Sequence, residues 1–139
     1  MKSVVCIVLV CSLVSMACAT PGTATFYQQY TPSACYGNTP EGVMIAAASD
    51  PLWNNGAICG KMFTVKCTGA TNPVPHPCYD GKEVTVKIVD HCPGCGGTLD
   101  LSKEAFAAIA NPLAGVIKIE YWKEHYYVFT VENLAMSKS

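Results

Sequence analysis

Residues 83–102 read EVTVKIVDHCPGCGGTLDLS, and three kinds of signal meet in those twenty positions. Val84, Val86 and Ile88 face one way while Thr85 and Lys87 face the other, the period of two that marks a strand with one buried and one wet side. The alternation closes at Asp90, and a tight loop through Cys92, Pro93, Gly94 and Cys95 follows. Asp100 then immediately precedes a helical pattern, so the chain between the two aspartates returns across a short distance.

The same strand chemistry recurs on both sides of this stretch. TATFYQ (23–28), VMIAAA (43–48), MFTVKCT (62–68) and GVIKIEYW (115–122) are rich in β-branched and aromatic residues. In the last of these, Ile117, Ile119 and Tyr121 oppose Lys118 and Glu120. PLWNNGAICG (51–60) and ATNPVPHPCYDG (70–81) carry the Asn-Gly and Pro signals of turns and loops. SKEAFAAIANP (102–112) predicts the one helix, with Ser102 as N-cap, Glu104 in the first turn, an apolar stripe of Phe106, Ile109 and Ala110, and an Asn-Pro stop. A further strand is possible at 126–131, ahead of a polar end. The expectation is an all-β chain with one helix, arranged as a barrel or sandwich.

Residues 1–19 have the form of a targeting segment: Lys2, the apolar run VVCIVLVCSLVSM and a small-x-small site at Ala17-Cys18-Ala19. The apolar run is shorter than the roughly 20 residues that span a bilayer. A secreted, soluble chain starting near Thr20 is expected, with one domain over 20–122 and a C-terminal extension over 123–139. Cleavage leaves six of the nine cysteines, Cys35, Cys59, Cys67, Cys78, Cys92 and Cys95. An even count in an oxidising compartment reads as three disulfides, with 15 possible pairings. The expected mature chain has 8 lysines, no arginine and 10 acidic residues, which argues against nucleic acid. NTP at 38–40 is no glycosylation sequon.

Asp90 and Asp100 admit two readings. Two carboxylates lining one groove can perform glycoside hydrolysis, about 5 to 9.5 Å apart depending on stereochemistry. Alternatively, Asp100 is a carboxylate favoured near a helix N-terminus and Asp90 braces the loop through backbone N–H groups. His91 beside Asp90 either tunes it or is solvated. Cys92-Pro93-Gly94-Cys95 reads as a structural disulfide, because Gly96 and Gly97 follow it where a redox-active pair needs a helix N-terminus or a cation. Zinc wants four ligands at matched spacing, and neither a metal nor a cofactor is expected. Tyr27, Tyr30, Tyr36 and Trp53 lie near loops and could stack on sugar rings, or belong to the core. Thr25 is an ordinary strand residue on its own.

Together, GTATFY (22–27), SACYGN (33–38), WNNGAICGKMFTVKC (53–67), VTVKIVDHCPGC (84–95) and TLDLSKEAFAAIA (98–110) resemble the first domain of expansins. They are more closely similar to the small plant EG45-like proteins that include plant natriuretic peptides, over residues 22–122. The resemblance implies a six-stranded double-psi β-barrel with a shallow open groove, of the kind shared with family 45 endoglucanases and some lytic transglycosylases. It implies that Asp100 matches the endoglucanase general acid, that Asp90 and Thr25 belong to the same groove with Tyr27 nearby, and that Cys35 pairs with Cys59, Cys67 with Cys78 and Cys92 with Cys95.

Departures from the pattern bear on function. The endoglucanase base falls at Gln28 or Gln29, and an amide cannot take up a proton at neutral pH. The groove tyrosine of bacterial expansins falls near Cys92, Met62 replaces a frequent cysteine, and 17 residues after Trp122 leave no room for the second, carbohydrate-binding domain. The expectation is therefore a monomeric, non-catalytic protein of the apoplast or cell wall, acting in water and solute homeostasis or stress signalling, with wall polysaccharide or a cell-surface receptor as partner. The alternatives are a glycan-cleaving enzyme that works with Asp100 alone, and a defence module that binds protein through loop 70–81.

Overall fold

The computed structural model describes residues 18–124. All but the last two residues of the targeting segment expected over 1–19, the strand expected at 126–131 and His125 lie outside the described residues. Six strands form a closed ring: β1 (Thr20–Tyr27), β2 (Ile45–Ser49), β3 (Met62–Ala70), β4 (Glu83–Cys92), β5 (Leu99–Ser102) and β6 (Ile117–Lys123), in the order β1-β5-β2-β4-β3-β6. β1 pairs with β5 and β2 with β4 in parallel, and the other neighbours are antiparallel. This is the all-β double-psi barrel implied by the resemblance. Among the described residues, closure leaves no strand with an unpaired edge.

Alternation along the strands fills the barrel. Val84, Val86 and Ile88 from β4, Leu99 and Leu101 from β5, and Ile117, Ile119 and Tyr121 from β6 share one core with Val65 and Phe63 of β3. The helix expected after Ser102 is α2 (Lys103–Ile109), which adds Ala105, Phe106 and Ile109 to that core, Phe106 lying 4.9 Å from Phe26 between ring centroids. Ser102 is wholly buried and caps α2, its Oγ accepting from the Ala105 N–H at 3.0 Å while its hydroxyl donates to the Val43 carbonyl.

Two elements depart from the sequence expectation. A second short helix, α1 (Asp50–Trp53), lies in the stretch read as turns, with Pro51 in its first turn and Asn54 in the left-handed conformation at its end. β5 was expected only as the residues before the helix, because four residues are too few for a periodic signal. Two disulfides tie the loops to the barrel, Cys35–Cys59 and Cys67–Cys78.

Candidate functional site

Strand register places the aspartates. Thr25 of β1 pairs with Asp100 of β5, Asp100 with Ala47 of β2, and Ala47 with Asp90 of β4. Residues paired across a sheet share a face, so Thr25, Asp100, Ala47 and Asp90 form one row across four strands, on the side away from the barrel core. Asp100 and Asp90 stand two strand spacings apart, roughly 10 Å between Cα atoms. The residue between them is an alanine, so the floor of the row is flat. Tyr27, two residues beyond Thr25, lies on the same face.

Asp100 is half-buried. The Thr25 hydroxyl donates to its Oδ1 at 2.8 Å and the Cys92 thiol to its Oδ2 at 3.8 Å. Burial raises its pKa above the usual carboxylate value and the charge of Asp90 adds to that, while the bonds from Thr25 and Cys92 pull it back. Asp90 is bound differently: its Oδ1 accepts from the backbone N–H groups of Ala34 at 2.8 Å and His91 at 2.9 Å. That is the loop-bracing role, holding the segment whose Ser33 and Gly37 exchange backbone hydrogen bonds.

The Tyr27 hydroxyl is buried and, among the described residues, has no hydrogen-bond partner. Its pKa is driven well above that of a free phenol, by burial first and then by the charges of Asp90 and Asp100. Tyr30 meets the Tyr27 ring edge-on at 5.3 Å, and its hydroxyl donates to Glu104 of α2.

Other expected residues go elsewhere. His91 turns away from Asp90: its Nε2 is 2.7 Å from Asp50 Oδ1, and its ring stacks on Trp53 at 4.6 Å with 4° between the planes. Trp53 is therefore a partner of His91 on the side of β4 opposite the row. Tyr36 carries the Lys87 ammonium over its ring at 5.3 Å, and Lys87 also pairs with Glu41 at 2.7 Å. His76 sits exposed in loop 70–81 with a positive φ of 48°.

Cys92 and Cys95 correct an expectation, because both carry free thiols in the structure in place of the third disulfide. Cys92 ends β4 on the same side as Asp90 and turns its thiol to Asp100, whereas the Cys95 thiol donates to the Gly97 carbonyl at 3.6 Å. Each sulfur thus has an oxygen acceptor of its own.

Asp50 escaped sequence reasoning. Besides meeting His91, its Oδ2 accepts from the Gly94 N–H at 3.1 Å, fastening the Cys92–Cys95 loop to the start of α1. The Gly94 N–H and then His91 lower its pKa. The only local hint was an Asp-Pro pair of the kind that opens helices.

Asp100 holds its proton above the pH at which a free carboxyl loses it, but Asp90 is engaged by two backbone donors. Gln28 and Gln29 lie exposed just past the end of β1, and neither amide can activate water. Among the described residues no group of three or more His, Cys, Asp or Glu side chains could hold a metal ion, and no helix is long and apolar enough to cross a membrane.

Comparison with known proteins agrees with this architecture. Residues 45–121 match a family model described as lytic transglycolase. An EG45-like domain containing protein of Arabidopsis thaliana is 69% identical over 111 residues, 79% of this chain and 88% of that protein. One from Citrus jambhiri is 63% identical over 115 residues, 81% of this chain and 87% of that protein. Among solved structures, the Clavibacter michiganensis expansin without ligand superposes with a TM-score of 0.61 at 30% identity over 79% of this chain. A point mutant of that expansin in complex with cellohexaose gives 0.59 at 29% identity over 78%. The chain spans about half of those expansins, 52% and 51%. With 69% and 63% of the aligned residues identical over most of both chains, and with the barrel of the expansins, this protein belongs to the expansin-like family of EG45-like domain containing proteins.

Proposed function

We propose that the protein is a secreted, non-catalytic wall protein that binds a polysaccharide chain across the row Thr25, Asp100, Ala47 and Asp90, with Asp100 as its principal polar ligand. The observation that carries this is the row itself: a flat strip four strands wide, with a half-buried carboxylate that, among the described residues, accepts side-chain hydrogen bonds from Thr25 and Cys92. Two further points support it. The expansin solved with cellohexaose has the same kind of barrel, and Asp90 is held by the backbone N–H groups of Ala34 and His91 as a brace of the loop. Action outside the cell, in water and solute homeostasis or stress signalling, is proposed on the resemblance to plant natriuretic peptides.

The test is a pull-down on cellulose, xyloglucan-coated cellulose and pectin, with released sugars assayed in the same tubes. Binding without sugar release, weakened at least several-fold by Asp100→Asn, is the expected result. Absence of binding to every fraction ends the reading.

One observation favours a second reading. A carboxyl whose pKa lies above its ordinary value can donate a proton to a leaving oxygen, and a sugar hydroxyl of the substrate can replace water as nucleophile, so Asp100 alone could cleave a glycan. Sugar release from peptidoglycan or xyloglucan that disappears in Asp100→Asn would establish it.

A further inference from the structure

The Cys92–Cys95 loop touches the site without being used by the function proposed above. Cys95 N donates to the Cys92 carbonyl at 3.3 Å, closing a tight turn in which Gly94 takes a φ of 65°. Such a turn holds its end Cα atoms within about 7 Å, close to the upper limit of the range that a disulfide bridges. Cys95 is among the groups that raise the pKa of the Cys92 thiol. Asp50, receiving the Gly94 N–H, pins the loop from outside, so little backbone movement separates two thiols from a bridge. One of the two is a hydrogen-bond donor to Asp100.

We propose that Cys92 and Cys95 are a reversible dithiol–disulfide site, and that closing the bridge removes one of the two side-chain hydrogen bonds to Asp100 and makes its carboxyl hold its proton more tightly. The oxidant is a low-molecular-weight disulfide. The Cys95 thiolate attacks it, forming a mixed disulfide and expelling one small thiolate. The Cys92 sulfur, on losing its proton to solvent, attacks Cys95 Sγ and expels the second. The protein loses two electrons and two protons, and the oxidant leaves as two thiols. The first attack falls to Cys95 because the Cys92 thiol is pushed up to about 12, by burial first and then by Cys95 and Asp100, and is a slow nucleophile in that state. After closure the Cys92 sulfur has no hydrogen to give, and Asp100 keeps only the Thr25 hydroxyl. The titratable groups facing Asp100 are Tyr27 from β1 and Asp90 and Cys92 from β4. Of these, Cys92 alone changes its hydrogen content on oxidation.

The experiment follows the Asp100 carboxyl carbon by NMR through a pH titration, with Asp100→Asn identifying the signal. The full chain is first equilibrated with reduced and then with oxidised glutathione. Mass spectrometry after alkylation must count two reactive thiols from Cys92 and Cys95 in the reduced sample and none in the oxidised one, with Cys35–Cys59 and Cys67–Cys78 intact in both. The expected result is a proton affinity of Asp100 roughly 3- to 10-fold higher in the oxidised protein, the scale of one lost hydrogen bond, and no such change in Cys95→Ser. Coincident titrations in the two states overturn the proposal, as do thiols that stay reactive after oxidation or a bridge that reduced glutathione cannot reopen. No glycan is involved, so failure here leaves the polysaccharide reading standing, and failure of that reading leaves this one.

Discussion

At the scale of single residues, Asp100 places a negative charge where burial and Asp90 both oppose it. Its folded pKa lies above the unfolded value of about 3.9, so between the two values the native state holds a proton that the unfolded state has lost. Stability therefore falls as pH rises through that window, and the cost is fully present above the folded pKa. Asp100→Asn, which keeps an acceptor for Thr25, should melt higher than the wild type at pH 7. The gap should close as the pH is lowered towards 3, and a variant that melts lower at neutral pH contradicts this account of the site. Asp90 is the opposite case. Asp90→Ala orphans the Ala34 and His91 N–H groups and should cost about 1–3 kcal/mol in urea denaturation, whereas Asp90→Asn retains the acceptor and should cost distinctly less. Both aspartates stood out in the sequence because they bracket a cysteine loop. Asp50 did not, since the groups it joins, His91 and Gly94, lie 41 and 44 residues away and no local pattern reports contacts at that separation.

Among the elements, the long alternating strands were legible, because β4 and β6 write one wet and one dry face directly into residue order. β5 was not: four residues, one of them charged, carry no period, and it is pairing with β1 and β2 that makes them a strand. This short element holds Asp100, so the position of the site depends on what keeps β5 against β1. Gly97 is part of that arrangement, since a Cβ there would stand 3.4 Å from the carbonyl oxygens of both Thr23 and Leu99 and 3.5 Å from Thr25 N. These are backbone atoms and cannot rotate away. Gly97→Val should cost about 1–3 kcal/mol and loosen the Thr25–Asp100 bond. The check is urea denaturation together with the Asp100 titration, which should move up as the Thr25 donor is lost; an unchanged titration would separate Gly97 from the site.

For the whole molecule, the closed barrel is small, and covalent ties supplement its core. Removing Cys35–Cys59, whose ends lie 24 residues apart, should lower stability by roughly 3 kcal/mol on chain-entropy grounds. Removing Cys67–Cys78, with a separation of 11, should cost somewhat less, and the order of the two in thermal denaturation checks the estimate. Six cysteines could not announce their pairing by spacing; the barrel brings these partners together from different loops and strands. Barrel topology was likewise out of reach of local patterns, since parallel pairing of β1 with β5 and of β2 with β4 is a long-range property, and it entered through the resemblance. The central claim is that this topology serves to build one binding row across β1, β5, β2 and β4. The most direct measurement is NMR mapping of cellohexaose on the labelled protein, wild type beside Asp100→Asn. The account predicts shifts concentrated at Thr25, Ala47, Asp90 and Asp100 that weaken several-fold in the variant. Shifts confined to loop 70–81, or none at concentrations that saturate known glucan binders, would contradict it.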